Sequence, residues 1–232
     1  QAAVALVNAL TFAEATAAPG ADAFRATYEA LGHAGASHVL SIHISTSLSA
    51  TADVARLGAQ QTQGIPVTVL DSRQLSLGTG FLVEAAARAA AQGHTLDEIL
   101  ALLEDQIPRT HVFAALDTLE YLRRSGRMNG AVARFGELLK IKPVLRMHDG
   151  NPTAERVRTN NGAFKRMLDI LQELAPFEKV ALVHTHAAAK AEDLRREAAH
   201  LLPDEELHSV DITPVLGANI GPGAVGFAVV SA

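Results

Sequence analysis

The sequence predicts an α/β protein in two parts: a parallel-sheet domain over residues 1–108, followed over residues 109–232 by a second α/β domain with a mixed sheet. Three observations carry this expectation. Short apolar runs alternate with amphipathic helical stretches through the first half, the rhythm of βαβ units. After Pro108 the rhythm changes, and two strand-like runs flank an Asp-Gly turn, the signature of a hairpin. A chain of 232 residues with 48% apolar and 19% charged side chains has a folding composition, long enough for two modest cores.

In the first half, Phe24, Tyr28 and Leu31 recur at helical spacing, which starts a helix near Ala21 that Gly32 or Gly35 ends. The run HVLSIHI (38–44) reads as a buried strand. A polar turn, STSLS (45–49), leads into a helix through about Gln61, and IPVTVL (65–70) is a second buried strand ending at Asp71. A helix from Ser76 stops at Gly93. Thr95 with Glu98 forms a capping-box pattern that opens another helix, to about Gln106. In the second half HVFAAL (111–116) is a strand, short helices are expected around Leu119 and Val132, and IKPVLRM and TAERVR flank the turn HDGNP (148–152). A helix near 162–174, a strand at 179–185, an alanine-rich helix at 187–200 and strands near 208–213 and 225–230 complete the pattern. A hairpin combined with a crossover makes the second sheet mixed.

Composition excludes several classes of function. Ten aromatic side chains and no Trp leave few platforms for stacking bases, so a single-stranded nucleic-acid binder is not expected. Zero Cys removes disulfides, thiolate catalysis and iron–sulfur ligation together. No apolar run approaches the ~18 residues of a membrane span, and the opening QAAVALVNAL lacks the basic flank of a signal peptide. A soluble, cytoplasmic protein without integral membrane association is expected. Gln1 in place of Met suggests that a stretch precedes this sequence.

GPGAVG (221–226) matches the letters of a dinucleotide fingerprint, yet only six residues follow it, too few for the helix, strand and acidic residue that such a site needs. It reads as a tight Gly-Pro turn, either purely structural or shaped so that backbone can approach a ligand. His184 and His186 would face the same way on a strand, but no third metal ligand follows from spacing, and no metal is expected. H-E-x-x-H, Walker A and G-x-S-x-G patterns are absent. The turn ISTSLSAT (44–51) sits where a buried strand ends and a helix opens. Its unpaired N–H groups, with the hydroxyls of Ser45, Ser47, Ser49 and Thr51, make either a solvated helix cap or a small anion receptor.

TLEYLRRSGRMN (118–129), followed by ELLKIKPVL (137–145) and the DG turn, is similar to the DegV family of bacterial fatty-acid-binding proteins. ISTSLSAT resembles that family's S-x-x-L-S-G-T turn, VLDSRQLSLGTG (69–80) its D-S stretch, GANIGPGAVG (217–226) its terminal H-x-G-P-G turn, and TAAPGADAF (16–24) its T-S-x-P segment. The blocks run in family order, and the family's opening T-D-S strand has no counterpart. The resemblance implies a Rossmann-like domain followed by a mixed-sheet domain, with a long-chain fatty acid bound between them, no other cofactor, and no catalysis by the chain itself. It implies that the carboxylate is held by Thr16, Ser49, the backbone N–H of Ala50, and Asn219, with Ser47, Thr51 and Gly221 as a secondary set. Ala50 replaces the family's Gly and Asn219 its His, so the imidazole's cationic form is lost. The implied partner is a separate fatty-acid kinase that phosphorylates the presented carboxylate. The alternative is a phosphotransferase substrate-binding subunit related to dihydroxyacetone kinase, for which His43 or His184 would be the covalent residue.

Charge is unevenly spread. The net charge is −5, yet residues 107–170 carry twelve basic and six acidic side chains, a balance of +6, against −11 elsewhere. Such a block points to an interaction face, with Arg123, Arg124, Arg127 and Arg158 as the candidate docking residues for the kinase. With an acidic remainder and few aromatics, nucleic acid is not expected as partner.

Overall fold

The computed structural model describes residues 4–8, 19–126, 141–203 and 207–232. The chain divides into two compact units, residues 1–75 with 79–108, and residues 76–78 with 109–232.

The first unit is built on a parallel sheet in the order β1 (Val4–Asn8), β2 (His38–His43), β3 (Val67–Asp71). β2 is central and Val39–His43 are all buried, the polar Ser41 and His43 included. The period of two divides its side chains. Leu40 and Ile42 pack with Leu82 and Ala86 of α3 (Ser76–Ala91) and with Ile99 and Leu103 of α4 (Leu96–Gln106). Val39 packs with Phe24 and Tyr28 of α1 (Ala21–His33) and Ala55 of α2 (Thr51–Gln61). Fully burying each Leu, Ile or Phe contributes roughly 1.5–3 kcal/mol. The Thr95 capping box forms as its spacing predicts: the Thr95 hydroxyl accepts from Glu98 N–H, and the Glu98 carboxylate accepts from Thr95 N–H at 2.7 Å.

The second unit holds a six-stranded mixed sheet in the order β6 (Asn151–Glu155), β5 (Val144–His148), β4 (Thr110–Ala115), β9 (Val225–Ser231), β7 (Phe177–His184), β8 (Ser209–Asp211). Only β7 and β8 pair parallel; the other neighbours are antiparallel. The β5–β6 hairpin turns on Asp149 and Gly150 at φ 44 and 77, the two left-handed residues of a type I′ turn. One face of the sheet, with Phe113, Val144, Leu182 and Phe227, is buried under α6 (Asn160–Leu174) and α7 (Ala188–Ala198), which contribute Met167, Ile170, Leu171 and Leu194.

Two elements escape the sequence reading. β1 extends the parallel sheet beside β2, although no turn signal brackets QAAVALVNAL. Pro214–Ile220 forms a short helix, α8, with Pro214 in its first turn, where Gly217 and Gly221 suggest only a loop. α5 (Glu120–Arg124) is the helix expected near Leu119; the one expected near Val132 lies outside the described residues. The whole is α/β, with a small parallel sheet and a larger mixed one, as the sequence predicts.

Candidate functional site

The hydroxyl turn follows β2 and ends on the first residue of α2. Ser45 is buried, and its N–H donates to the Gln74 carbonyl at 2.8 Å. The N–H groups of Leu48 and Ser49 fold back onto Ser45 O at 3.0 and 3.2 Å. Its hydroxyls pair among themselves: Ser45 with Ser47 at 2.8 Å and Ser49 with Thr51 at 2.7 Å. Ser49 Oγ also accepts from Thr51 N–H at 3.2 Å. Ala50 is the N-cap of α2 at φ −76, ψ 4. This is right-handed backbone, so the Cβ that replaces the family's glycine fits without strain. Among the described residues the Ala50 N–H has no hydrogen-bond partner. The turn thus presents a donor at the positive end of an 11-residue helix, beside two hydroxyls that can redirect their protons.

The turn is anchored by residues that the sequence reading did not assign to a site. Asp71, at the end of β3, accepts from both the hydroxyl and the N–H of Thr46, at 2.6 and 3.2 Å, and from the N–H of Arg73 at 2.8 Å. Ser72 N–H donates to the His43 carbonyl at 2.9 Å. Arg73 and Ser76 both adopt left-handed φ, near 50, in this loop. The sequence signal was an aspartate closing an apolar strand within the block DSRQLS.

Beneath the turn lies a buried polar chain. Tyr28 Oη meets Ser41 Oγ at 2.9 Å, and Ser41 Oγ meets His43 Nε2 at 2.7 Å. His43 is fully buried, with the Phe24 ring in an edge contact at 5.4 Å. Burial, with a smaller contribution from Arg56, lowers its pKa to about 4, so it is neutral at pH 7. A covalent role for His43 would require a substrate to reach an occluded ring. His184 is also buried; its Nδ1 accepts from Ala187 N–H at 3.4 Å and lies 3.7 Å from Asp211 Oδ1. His186 is exposed, with Nδ1 3.0 Å from Asp211 Oδ2. Among the described residues no group of three or more His, Asp or Glu side chains is placed to hold a metal.

In the second unit the Gly-Pro-Gly turn is fully occupied by its own chain. Gly221 N–H donates to Gly217 O at 2.7 Å and Gly223 N–H to Thr185 O at 2.9 Å. Thr185 Oγ1 donates to Gly221 O at 2.7 Å and accepts from Ala224 N–H at 2.9 Å. A Cβ on Gly221 would stand 2.3 Å from the Tyr121 ring, and one on Gly223 2.2 Å from Asp117 Oδ2, both at positive φ. The glycines therefore serve close approach within the unit, and the Gly221 N–H is already committed. Asp117 accepts from Lys142 and Lys190 at 3.0 and 3.1 Å, and Lys190 also donates to Gly223 O at 2.7 Å. Burial pushes the Asp117 carboxyl up, but the two lysines outweigh it and hold it below its ordinary value. Asn219, on α8, donates its amide to Val215 O at 2.8 Å.

Of the remaining expected residues, Thr16 and Arg127 lie outside the described residues. Arg123 and Arg124 are about 70% exposed, and both bind the Glu120 carboxylate, at 2.9 and 2.7 Å. Arg158 is exposed.

The family model described as "Uncharacterised protein, DegV family" matches residues 5–232. The chain belongs to the DegV family. A DegV domain-containing protein of Streptomyces coelicolor is 34% identical over 220 residues, covering 93% of this chain and 78% of that protein. One of Mycobacterium tuberculosis is 40% identical over 204 residues, 86% of this chain and 72% of that protein. Among solved structures, a DegV family protein of Corynebacterium glutamicum superposes with a TM-score of 0.89 at 26% identity, covering 100% of this chain and 99% of that one. A DegV protein of Thermus thermophilus, described by its fatty-acid binding, matches with a TM-score of 0.83 at 34% identity over 93% of this chain and 78% of that one. DegV of Bacillus subtilis, described as a fatty-acid-binding protein, matches with a TM-score of 0.81 at 27% identity over 92% and 77%. Among the described residues of this DegV protein no helix is long and apolar enough to cross a membrane.

Proposed function

We propose that this DegV protein is a cytoplasmic carrier that binds a long-chain fatty acid and presents its carboxylate to a separate fatty-acid kinase. The observation that carries the reading is the hydroxyl turn: Ser49 and Thr51 paired at 2.7 Å beside the unclaimed N–H of Ala50, at a helix N-terminus. The fatty-acid binding described for the Thermus thermophilus and Bacillus subtilis proteins supports it. Within the first unit the proposed carboxylate donors are Ser49, the Ala50 N–H and Thr16, with Ser47 and Thr51 as exchangeable neighbours.

Magnitudes assign the roles. A 16-carbon tail gains roughly 11 kcal/mol on burial, at about 0.8 kcal/mol per CH₂. A carboxylate desolvated without donors would cost several kcal/mol, so the turn prevents a penalty and fixes orientation. That is a binding and presenting chemistry. Gentle native mass spectrometry followed by denaturing extraction tests it. The protein should carry a mass increment that extracts as fatty acid, and a lipid-free protein that also refuses added fatty acids of several lengths sinks the reading.

The kinase is proposed to dock on Arg123, Arg124, Arg127 and Arg158. Glu120 neutralises one of the two exposed guanidiniums on α5 and leaves a net positive turn for an acidic surface or an acyl-phosphate head group. Arg124→Glu with Arg158→Glu should slow kinase-dependent phosphorylation several-fold while fatty-acid binding persists. Wild-type rates in that double variant would reject the docking face and leave the carrier reading standing.

A further inference from the structure

Two helices of the first unit carry an acidic residue at the same place, three residues past the N-cap, and use it differently. In α4 the N-cap is Thr95 and the acid is Glu98, whose carboxylate reaches back to accept from the Thr95 N–H at 2.7 Å. In α2 the N-cap is Ala50 and the acid is Asp53. Its carboxylate accepts instead from Arg56, at 2.6 Å, and the Ala50 N–H has no partner among the described residues. The neighbours on each helix account for the difference. Three and four residues past Glu98 stand Ala101 and Leu102, which have nothing to offer a carboxylate, whereas three residues past Asp53 stands Arg56. The side chains of Arg56 and Asp53 are 42% and 65% exposed, and a pair so exposed contributes at most ~1 kcal/mol, so the carboxylate exchanges partners readily.

An acid at this position ordinarily serves the helix, by capping the first N–H and meeting the positive end of the dipole. Beside a receptor for an anion it is a rival, because its oxygens suit the same N–H and its charge opposes that of the ligand. Arg56 counters both effects. It holds the carboxylate by a side-chain contact and offsets its charge, and it lies near enough to His43, the residue before the turn, to help lower that ring's pKa. Building on the assignment of residues 44–51 as a carboxylate receptor, we infer that Asp53 and Arg56 form a clasp that keeps the receptor open: Arg56 holds the Asp53 carboxylate off the Ala50 N–H, and the N–H is left for the ligand's oxygen. Arg56 is then a positioning residue that acts through Asp53 and has no need to touch the fatty acid.

A double-mutant cycle on palmitate binding tests the clasp. Arg56→Met releases Asp53 toward the Ala50 N–H and should weaken binding about two- to fivefold, the scale of one charge interaction at a helix N-terminus. Asp53→Ala removes the rival and should strengthen binding by a similar factor. In the Asp53→Ala background Arg56→Met should change nothing, since no carboxylate is left to hold. In the ligand-free protein the Ala50 amide proton, followed by NMR, should move downfield in Arg56→Met and return in the double variant. Equal losses from Arg56→Met with and without Asp53 overturn the clasp, because the guanidinium then acts on the ligand itself. So does wild-type affinity in Arg56→Met with an unmoved Ala50 amide, and in both cases the carrier reading survives. A wild-type protein that takes up no palmitate overturns the carrier reading, and the Ala50 amide then decides the clasp by itself.

Discussion

The turn after β2 and the turn after α8 spend their hydrogen bonds in opposite ways. In the first unit, Ser45, Ser47, Ser49 and Thr51 pair hydroxyl to hydroxyl, and the Ala50 N–H is left over. In the second, the N–H groups of Gly221, Gly223 and Ala224 are all taken by Gly217 and Thr185, and Lys190 closes on Gly223 O. A hydroxyl pair can trade one partner for a ligand oxygen at little cost, because each group is both donor and acceptor. A turn whose donors are all committed has only its shape to offer. The first has donors to spare and the second is a fixed, self-satisfied turn, and substitutions should separate them by size and kind of effect.

The largest effect is expected at the fixed turn. Gly226→Ala would place a Cβ 2.0 Å from the Phe113 carbonyl oxygen, a backbone atom in the adjacent strand. Gly223→Ala adds the cost of a left-handed backbone to its clash with Asp117. Each should lose about 3 kcal/mol or more in denaturant unfolding, and a loss below about 1 kcal/mol would show that the turn yields.

Next in size is a loss on acidification, read as unfolding midpoint against pH. Each unit holds one buried histidine whose pKa falls to about 4, His43 in the first and His111 in the second, in both cases first through burial. An unfolded histidine titrates near 6.5, so the folded form binds fewer protons. Stability is therefore full above about 6.5 and falls as pH drops toward 4, by up to ~3 kcal/mol per residue. Replacing either histidine by glutamine should remove its share of the slope. An unaltered slope in both variants would mean that neither ring stays neutral.

The turn after β2, as the proposed carboxylate site, should respond in binding and not in folding. Ser49→Ala and Thr16→Val are each expected to weaken fatty-acid affinity by about 1–3 kcal/mol, the cost of leaving a buried acceptor short of a donor, with little change in unfolding midpoint. Unchanged affinity in both would move the carboxylate elsewhere. The smallest effect is expected from Ala50→Gly. With φ at −76 the Cβ is unstrained, so restoring glycine should change stability by only a few tenths of a kcal/mol at a helix N-cap. A gain above about 1 kcal/mol would mean the turn prefers left-handed backbone in solution.

Most of this architecture was legible in the sequence because local signals agreed with the global fold. The run HVLSIHI is buried on both faces since helices cover both, and the Asp-Gly turn fixes the β5–β6 register at Asn151 opposite His148. What escaped was set by tertiary contact. β1 owes its place to pairing with β2, whereas α8 runs locally from Pro214 to its left-handed cap at Gly221 with Gly217 inside it. At the site, serines and the helix start were visible in ISTSLSAT. The role of Asp71 was not, because Thr46 lies 25 residues away in sequence and only the parallel pairing of β2 with β3 brings them together. Likewise GPGAVG could be recognised as a turn, but not that Thr185, 36 residues earlier, would hold it.

The six-stranded sheet also governs how copies of this protein behave toward one another. At one margin β6 carries Pro152, which has no N–H to lend to a passing strand, and at the other β8 runs for only three residues. Among the described residues neither margin offers the long row of free donors and acceptors that templates strand addition, so this sheet resists growth into fibrils by its own geometry.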